Sequence, residues 1–187
     1  QYSQNVPANF TITTQKGSSI SWNKASNNMV IDIKDKKPYN QSITCKNAVY
    51  LVLNGGWFEI LAAREINKWQ HIHELLLNVE FNYKNEATPK NEIDILINTG
   101  NNLIFVECKS GIINAADVNK MKVVRELYGG TTAKSLLFCR NYPTSHILEK
   151  CKEFDIEIFA LNGLLNTLNQ YSDVIIILDL IHKKIYS

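Results

Sequence analysis

The stretch from Asn91 to Gly111, NEIDILINTGNNLIFVECKSG, constrains the fold more than any other part of the chain. It reads as two strands joined at Asn98-Thr99-Gly100-Asn101-Asn102, because Gly and Asn tolerate the positive φ that a tight reversal needs. Ile93, Ile95 and Ile97 alternate with Asp94, Leu96 and Asn98, which puts Asp94 on the face opposite the isoleucines. Leu103-Ile104-Phe105-Val106 is apolar on both faces, the pattern of a central strand covered from two sides. Glu107 and Lys109 continue the face of Leu103 and Phe105. Paired as a hairpin, the strands bring Asp94 close to Glu107, so two carboxylates and an ammonium gather at the end of a buried strand.

Two partly desolvated anions raise each other's pKa and repel unless a cation lies between them. A divalent ion removes that cost. Mg²⁺ or Mn²⁺ prefers oxygen ligands and keeps several waters, so one or two carboxylates plus a substrate phosphate suit it. Lys109, on the same strand face as Glu107, is placed to position a metal-bound water or help deprotonate it. This is equipment for phosphodiester hydrolysis. The plainer reading is a solvated strand end with a cross-strand ion pair; the apolar run directly before Glu107 argues against it.

Asp94, thirteen residues before Glu107-Cys108-Lys109, resembles the D…E-x-K core of the PD-(D/E)XK nuclease superfamily. Three flanking stretches narrow the resemblance: Gly55-Gly56-Trp57-Phe58-Glu59, the lead-in Asn91-Glu92-Ile93-Asp94, and Lys120 and Arg125 ahead of Gly129-Gly130. Together, over about residues 45 to 165, they look like the nuclease domain at the C-terminal end of CRISPR-associated proteins whose N-terminal CARF sensor binds cyclic oligoadenylate. The resemblance implies a metal-dependent nuclease acting on DNA, RNA or both, usually as a homodimer. Ile93 stands where the superfamily's motif has Pro.

The resemblance also weights residues that the pattern leaves open. Glu59 lies on an uncharged face of a helix read over Trp57 to Trp69, as a first-turn acid favouring the helix dipole or as a side chain reaching the metal or its water. With the resemblance, the second role is expected. Lys120 and Arg125 fall on a helix over Ala115 to Tyr128, capped by Asn114, closed by Gly129-Gly130 and buried along Val118, Met121, Val124 and Tyr128. Such cations usually mark a solvated face; the family pattern implies contact with phosphates.

At 187 residues the chain fits one domain, or one with a small appendage, and its 45% apolar and 20% charged residues are ordinary for a globular protein. A formal charge of +2 is far below that of a sequence-independent duplex coater, so a nucleic-acid site must be a local patch. Cys45, Cys108, Cys139 and Cys151 form no C-x-x-C pair and read as reduced, buried thiols of a cytoplasmic protein. His71 and His73, two apart, do not share a helix face, which disfavours zinc there. The sequons at Asn9 and Asn40 follow no signal peptide, and Val174 to Leu178 is too short to span a bilayer, so no membrane partner is expected.

Residues 1–42 are polar, with strand-like pieces at Phe10 to Thr14, Ser19 to Trp22 and Met29 to Ile33, and are read as a β-rich appendage or linker. The nuclease domain is assigned to 43–187. Asn47 to Leu53 is a turn or two of helix, Leu75 to Tyr83 the first core strand, Lys84 to Lys90 a loop, Ser135 to Cys139 and Ile156 to Ala160 further strands, and Thr144 to Phe154 and Leu161 to Tyr171 helices. Val174 to Ile181 is strand or helix; its length does not decide. The architecture is α/β, a restriction-endonuclease-like mixed sheet flanked by helices.

The sequence is thus read as a metal-dependent endonuclease, the effector of a CRISPR-associated defence protein. Asp94, Glu107 and Glu59 bind Mg²⁺ or Mn²⁺, Lys109 orients the water, and Lys120 and Arg125 contact nucleic acid. The alternative is a non-catalytic binding or dimerisation module that retains the fold. Residues 1–42 are too short and polar for a dinucleotide-type sensor, and no Gly-rich phosphate loop precedes a helix. The chain begins at Gln1, as an excised or processed effector domain does, and the cyclic-oligoadenylate sensor is expected upstream.

Overall fold

A computed structural model describes residues 9–34, 36–81, 91–161 and 173–186. The chain divides into two compact units, Gln1–Trp57 and Phe58–Ser187.

The first unit is an antiparallel meander of β1 (Phe10–Thr13), β2 (Ser19–Asn23), β3 (Asn28–Ile33) and β4 (Tyr39–Ile43), followed by α1 (Lys46–Leu53). The β1–β2 reversal uses Gly17 and the β2–β3 reversal uses Asn27, both at positive φ, where these two residue types cost least. Trp22, Met29 and Val49 form its small core, with Phe10, Ile31 and Ile43 packed around them. β4 was not anticipated from the sequence. Its residues Tyr39, Asn40, Gln41 and Ser42 are exposed and only Ile43 is half-buried, so this edge strand carries no hydrophobic alternation.

The second unit begins within α2 (Gly56–Ile66) and holds a five-stranded sheet ordered β5 (Glu74–Phe81), β6 (Asn91–Asn98), β7 (Leu103–Lys109), β8 (Lys134–Cys139), β9 (Ile156–Ala160). β5, β6 and β7 are antiparallel; β7, β8 and β9 are parallel, joined through α3 (Ala115–Tyr128) and α4 (Ser145–Glu153). α2 ends at Ile66, short of the expected Trp69, which follows in a turn. The segment 174–186, open between strand and helix in the sequence, is helix α5 (Val174–Tyr186). The expected loop at 84–90 and nearly all of the expected helix at 161–171 lie outside the described residues.

Alternate residues of the central strands separate the two faces. Ile104, Val106, Leu136 and Phe138 pack with Phe58, Ala62 and Ile66 of α2 and with Leu178 and Ile181 of α5. Phe105 and Leu137 face the other way, against Val124 and against Val118, Met121 and Ile147 of α3 and α4. Phe58 and Phe138 are fully buried and meet edge to face at 5.5 Å, each burial contributing about 2–3 kcal/mol. That contact pins the start of α2 to β8 and fixes the next residue, Glu59.

Candidate active site

The β6–β7 ladder runs from Asn98↔Leu103 to Ile95↔Val106 and ends one pair short of Asp94 and Glu107. In place of a further backbone bond, Asp94 Oδ2 accepts the Cys108 N–H at 2.6 Å. The regular alternation of β6 breaks at the same point. Ile95 and Ile97 pack together in the α2 cluster, whereas Ile93, expected on their face, joins Leu96 and Phe105 in the α3 cluster. Across β6, Asn78 of β5 stands between the pairs Leu77↔Ile95 and Val79↔Ile93 with φ +51°, a left-handed residue inside a strand. The sheet is therefore distorted on both sides of Asp94.

The expected convergence of charge is present. Glu107 is 2% exposed and Asp94 is half-buried. Burial first, then the Glu107 charge and that of Glu59, pushes the Asp94 carboxyl up to about 7, against the pull of the Cys108 N–H bond and of Lys120. Glu59 is raised too, by burial and by Glu92 and Glu107. Glu59, Asp94 and Glu107 thus share one electrostatic neighbourhood. Lys109 Nζ lies 3.0 Å from Glu107 Oε1 and 3.1 Å from Asp117 Oδ1. Burial alone lowers its pKa, but the two carboxylates hold the ammonium well above the ordinary lysine range. Lys120 Nζ sits 3.3 Å from both Glu107 oxygens.

Arg125 lies apart from this group. Its guanidinium donates to the carbonyls of Phe154 at 2.9 Å and Asp155 at 3.0 Å, at the end of α4. Cys108, between the two key residues of β7, has its thiol pushed up by burial and by the surrounding carboxylates, which makes it a poor nucleophile or ligand. Cys139 and Cys151 are also buried, with thiols raised to about 12 and about 11; Cys45, expected to be buried, is exposed. Three residues were missed: Asp117, which holds Lys109, Glu92, whose charge acts on Glu59, and Asn78, the left-handed residue inside β5. Only Asp117 had a sequence signal, the Asn114-x-x-Asp117 spacing of a capping box.

Among the described residues, no three His, Cys, Asp or Glu side chains form a ready-made cage for an ion. The donor set nevertheless fits a hard cation. Asp94 and Glu107 offer oxygens at an unzipped strand end, and the Asp94 carboxyl is raised by burial first and then by the charges of Glu107 and Glu59, a cost that a cation beside it would relieve.

The family profile of the Card1-like endonuclease domain matches residues 45–173. The chain belongs to this family. None of the curated proteins matches its sequence. Among solved structures, the crystal structure of protein VC1899 from Vibrio cholerae superimposes with a TM-score of 0.64 over 82% of this chain and 40% of that one, at 18% identity. Can2 from Sulfobacillus thermosulfidooxidans, solved in complex with cyclic tetra-adenylate, matches with a TM-score of 0.51 over 64% of this chain and 36% of its own, at 27% identity. The chain thus spans well under half of either protein. The five-stranded mixed sheet flanked by helices is the expected restriction-endonuclease-like architecture, and the antiparallel strands β1 to β4 precede the matched residues. Among the described residues, no helix is long and apolar enough to cross a membrane.

Proposed function

We propose that this Card1-like domain is a divalent-metal-dependent endonuclease whose site is built from Asp94, Glu107, Lys109 and Glu59. The observation that carries the reading is the juxtaposition of Asp94 and Glu107 where the β6–β7 ladder opens, with Asp94 raised to about 7 by burial and by Glu107. Asp94 and Glu107 would hold Mg²⁺ or Mn²⁺, with Glu59 supporting them from α2. The ion, when bound, polarises the scissile phosphate and lowers the pKa of water. Lys109, held between two carboxylates, keeps a positive charge beside the attacking oxygen and orients it by hydrogen bonding. Lys120 shares Glu107 with Lys109; with Glu107 engaged by an ion, the Lys120 ammonium would be available to a phosphate oxygen. Arg125 has further N–H donors beyond its two carbonyl bonds, and the same role is proposed for it.

The substrate is nucleic acid, DNA or RNA, and the working unit a homodimer in the cytoplasm. The likeness to Can2 supports a CRISPR-associated effector gated by a cyclic-oligoadenylate sensor outside these 187 residues. Labelled single- and double-stranded DNA and RNA, incubated with Mn²⁺, with Mg²⁺ and with chelator, test the activity. Metal-dependent cleavage of at least one substrate is expected, unchanged by cyclic tetra-adenylate. Cleavage undiminished by chelator contradicts metal dependence, and stimulation by the cyclic nucleotide places a sensor inside the chain.

A further inference from the structure

The Lys109 ammonium touches two carboxylates, and they are held differently. Glu107 is shared with Lys120 and is the residue assigned above to the metal. Asp117 belongs to the frame of α3. It is the third residue of that helix, in a reciprocal capping box: Asn114 Oδ1 accepts the Asp117 N–H at 3.0 Å, and Asp117 Oδ2 accepts the Asn114 N–H at 2.9 Å. The bond through Oδ2 fixes the plane of the carboxylate. The other oxygen, Oδ1, is then aimed at Lys109 Nζ, 3.1 Å away, with the Asp117 side chain only 18% exposed. One carboxylate thus ties the start of α3 to the catalytic strand through a side chain eight residues back.

Were Glu107 given to a divalent ion, its charge would no longer be free to hold the ammonium, and Lys109 would be left with Asp117 as its remaining anchor. A four-carbon side chain with a single flexible charge then needs another partner to keep its place. We propose that Asp117 is a positioning residue for Lys109, its Oδ2 closing the cap of α3 while its Oδ1 keeps the ammonium in place once Glu107 is given to an ion. This rests on the reading of Asp94, Glu107 and Lys109 as the nuclease site.

Asp117→Asn and Asn114→Ala separate positioning from capping. Asparagine at 117 keeps an oxygen for the Asn114 N–H and loses the charge that holds Lys109; alanine at 114 removes half the cap and leaves both Asp117 oxygens in place. Asp117→Asn is expected to lower kcat roughly 10- to 100-fold, the usual effect of removing a carboxylate that orients a catalytic group, with KM and Tm nearly unchanged. Asn114→Ala is expected to lower Tm and leave kcat intact. A second readout needs no activity: in the metal-free protein the Lys109 ammonium signal, assigned by its absence in Lys109→Met, should shift or exchange away in Asp117→Asn and persist in Asn114→Ala. If Asp117→Asn keeps both kcat and the ammonium signal while Lys109→Met abolishes cleavage, the inference fails and the site stands. Equal loss of kcat in Asp117→Asn and Asn114→Ala also overturns it, because capping alone would then account for the effect. Cleavage that survives Lys109→Met overturns the reading of the site itself.

Discussion

Replacing Asp94 with Asn should stabilise the metal-free protein, and the gain should grow with pH. In the folded chain the Asp94 carboxyl is raised from 3.8 to about 7 by burial, by Glu107 and by Glu59. Between those values the native state holds a proton that the unfolded chain has lost. Stability of the wild type therefore falls as pH rises through that window, by about 1.4 kcal/mol per pH unit, and levels off above about 7. The full penalty is about 4 kcal/mol at pH 8 and less than half of that at pH 5. Asparagine carries no charge, and its side-chain oxygen still accepts the Cys108 N–H. Asp94→Asn is thus expected to be more stable than wild type by up to about 4 kcal/mol at pH 8, with a smaller gain at pH 5. Urea unfolding of both proteins in chelator at the two pH values reads the difference directly. A variant whose advantage is the same at both pH values, or that is less stable at pH 8, would falsify the claim that burial and the neighbouring carboxylates disfavour the Asp94 charge.

Two further substitutions test the frame around the site. Gly129 ends α3 at an ordinary φ of −94°, but a Cβ there would lie 2.4 Å from Ala133 Cβ and 2.7 Å from both the Arg125 carbonyl and Phe105, so Gly129→Ala should cost about 1–3 kcal/mol in a urea melt; a neutral substitution would show that the loop yields freely. Arg125→Met keeps the stem and removes both bonds to the end of α4, so a loss of about 1.5–3 kcal/mol is expected, and a phosphate contact should also reduce the salt slope of nucleic-acid affinity by about one counterion. An unchanged salt slope leaves Arg125 with the helix-end role alone.

What the sequence made legible is what local chemistry determines. The turn of Asn and Gly residues, the apolar run before Glu107, and the Asn114 and Gly129 ends of α3 each record their structure within a few residues. β6, β7 and α3 follow those signals closely, and the approach of Asp94 to Glu107 follows from the hairpin. β4 was illegible because an exposed edge strand buries almost no side chains and shows no alternation. The run Val174 to Leu178 was ambiguous because five apolar residues fit either period, and only packing of Val174, Ile177, Leu178 and Ile181 in one cluster marks a helix. Arg125 reaching Phe154 and Asp155, Lys120 reaching Glu107 and Lys109 reaching Asp117 are contacts between elements. Each pairs a long cationic side chain with a partner at least eight residues away, which neither propensity nor periodicity encodes.

The central claim is that Asp94 and Glu107 together hold a divalent ion. Calorimetric titration of Mn²⁺ into the wild type, Asp94→Asn and Glu107→Gln at pH 8, where Asp94 is mostly ionised, tests it without needing the substrate. Binding in the wild type and its loss in both variants is the expected result, since each substitution keeps the side chain's shape and removes one charged ligand. Equal Mn²⁺ affinity in all three proteins would contradict the claim.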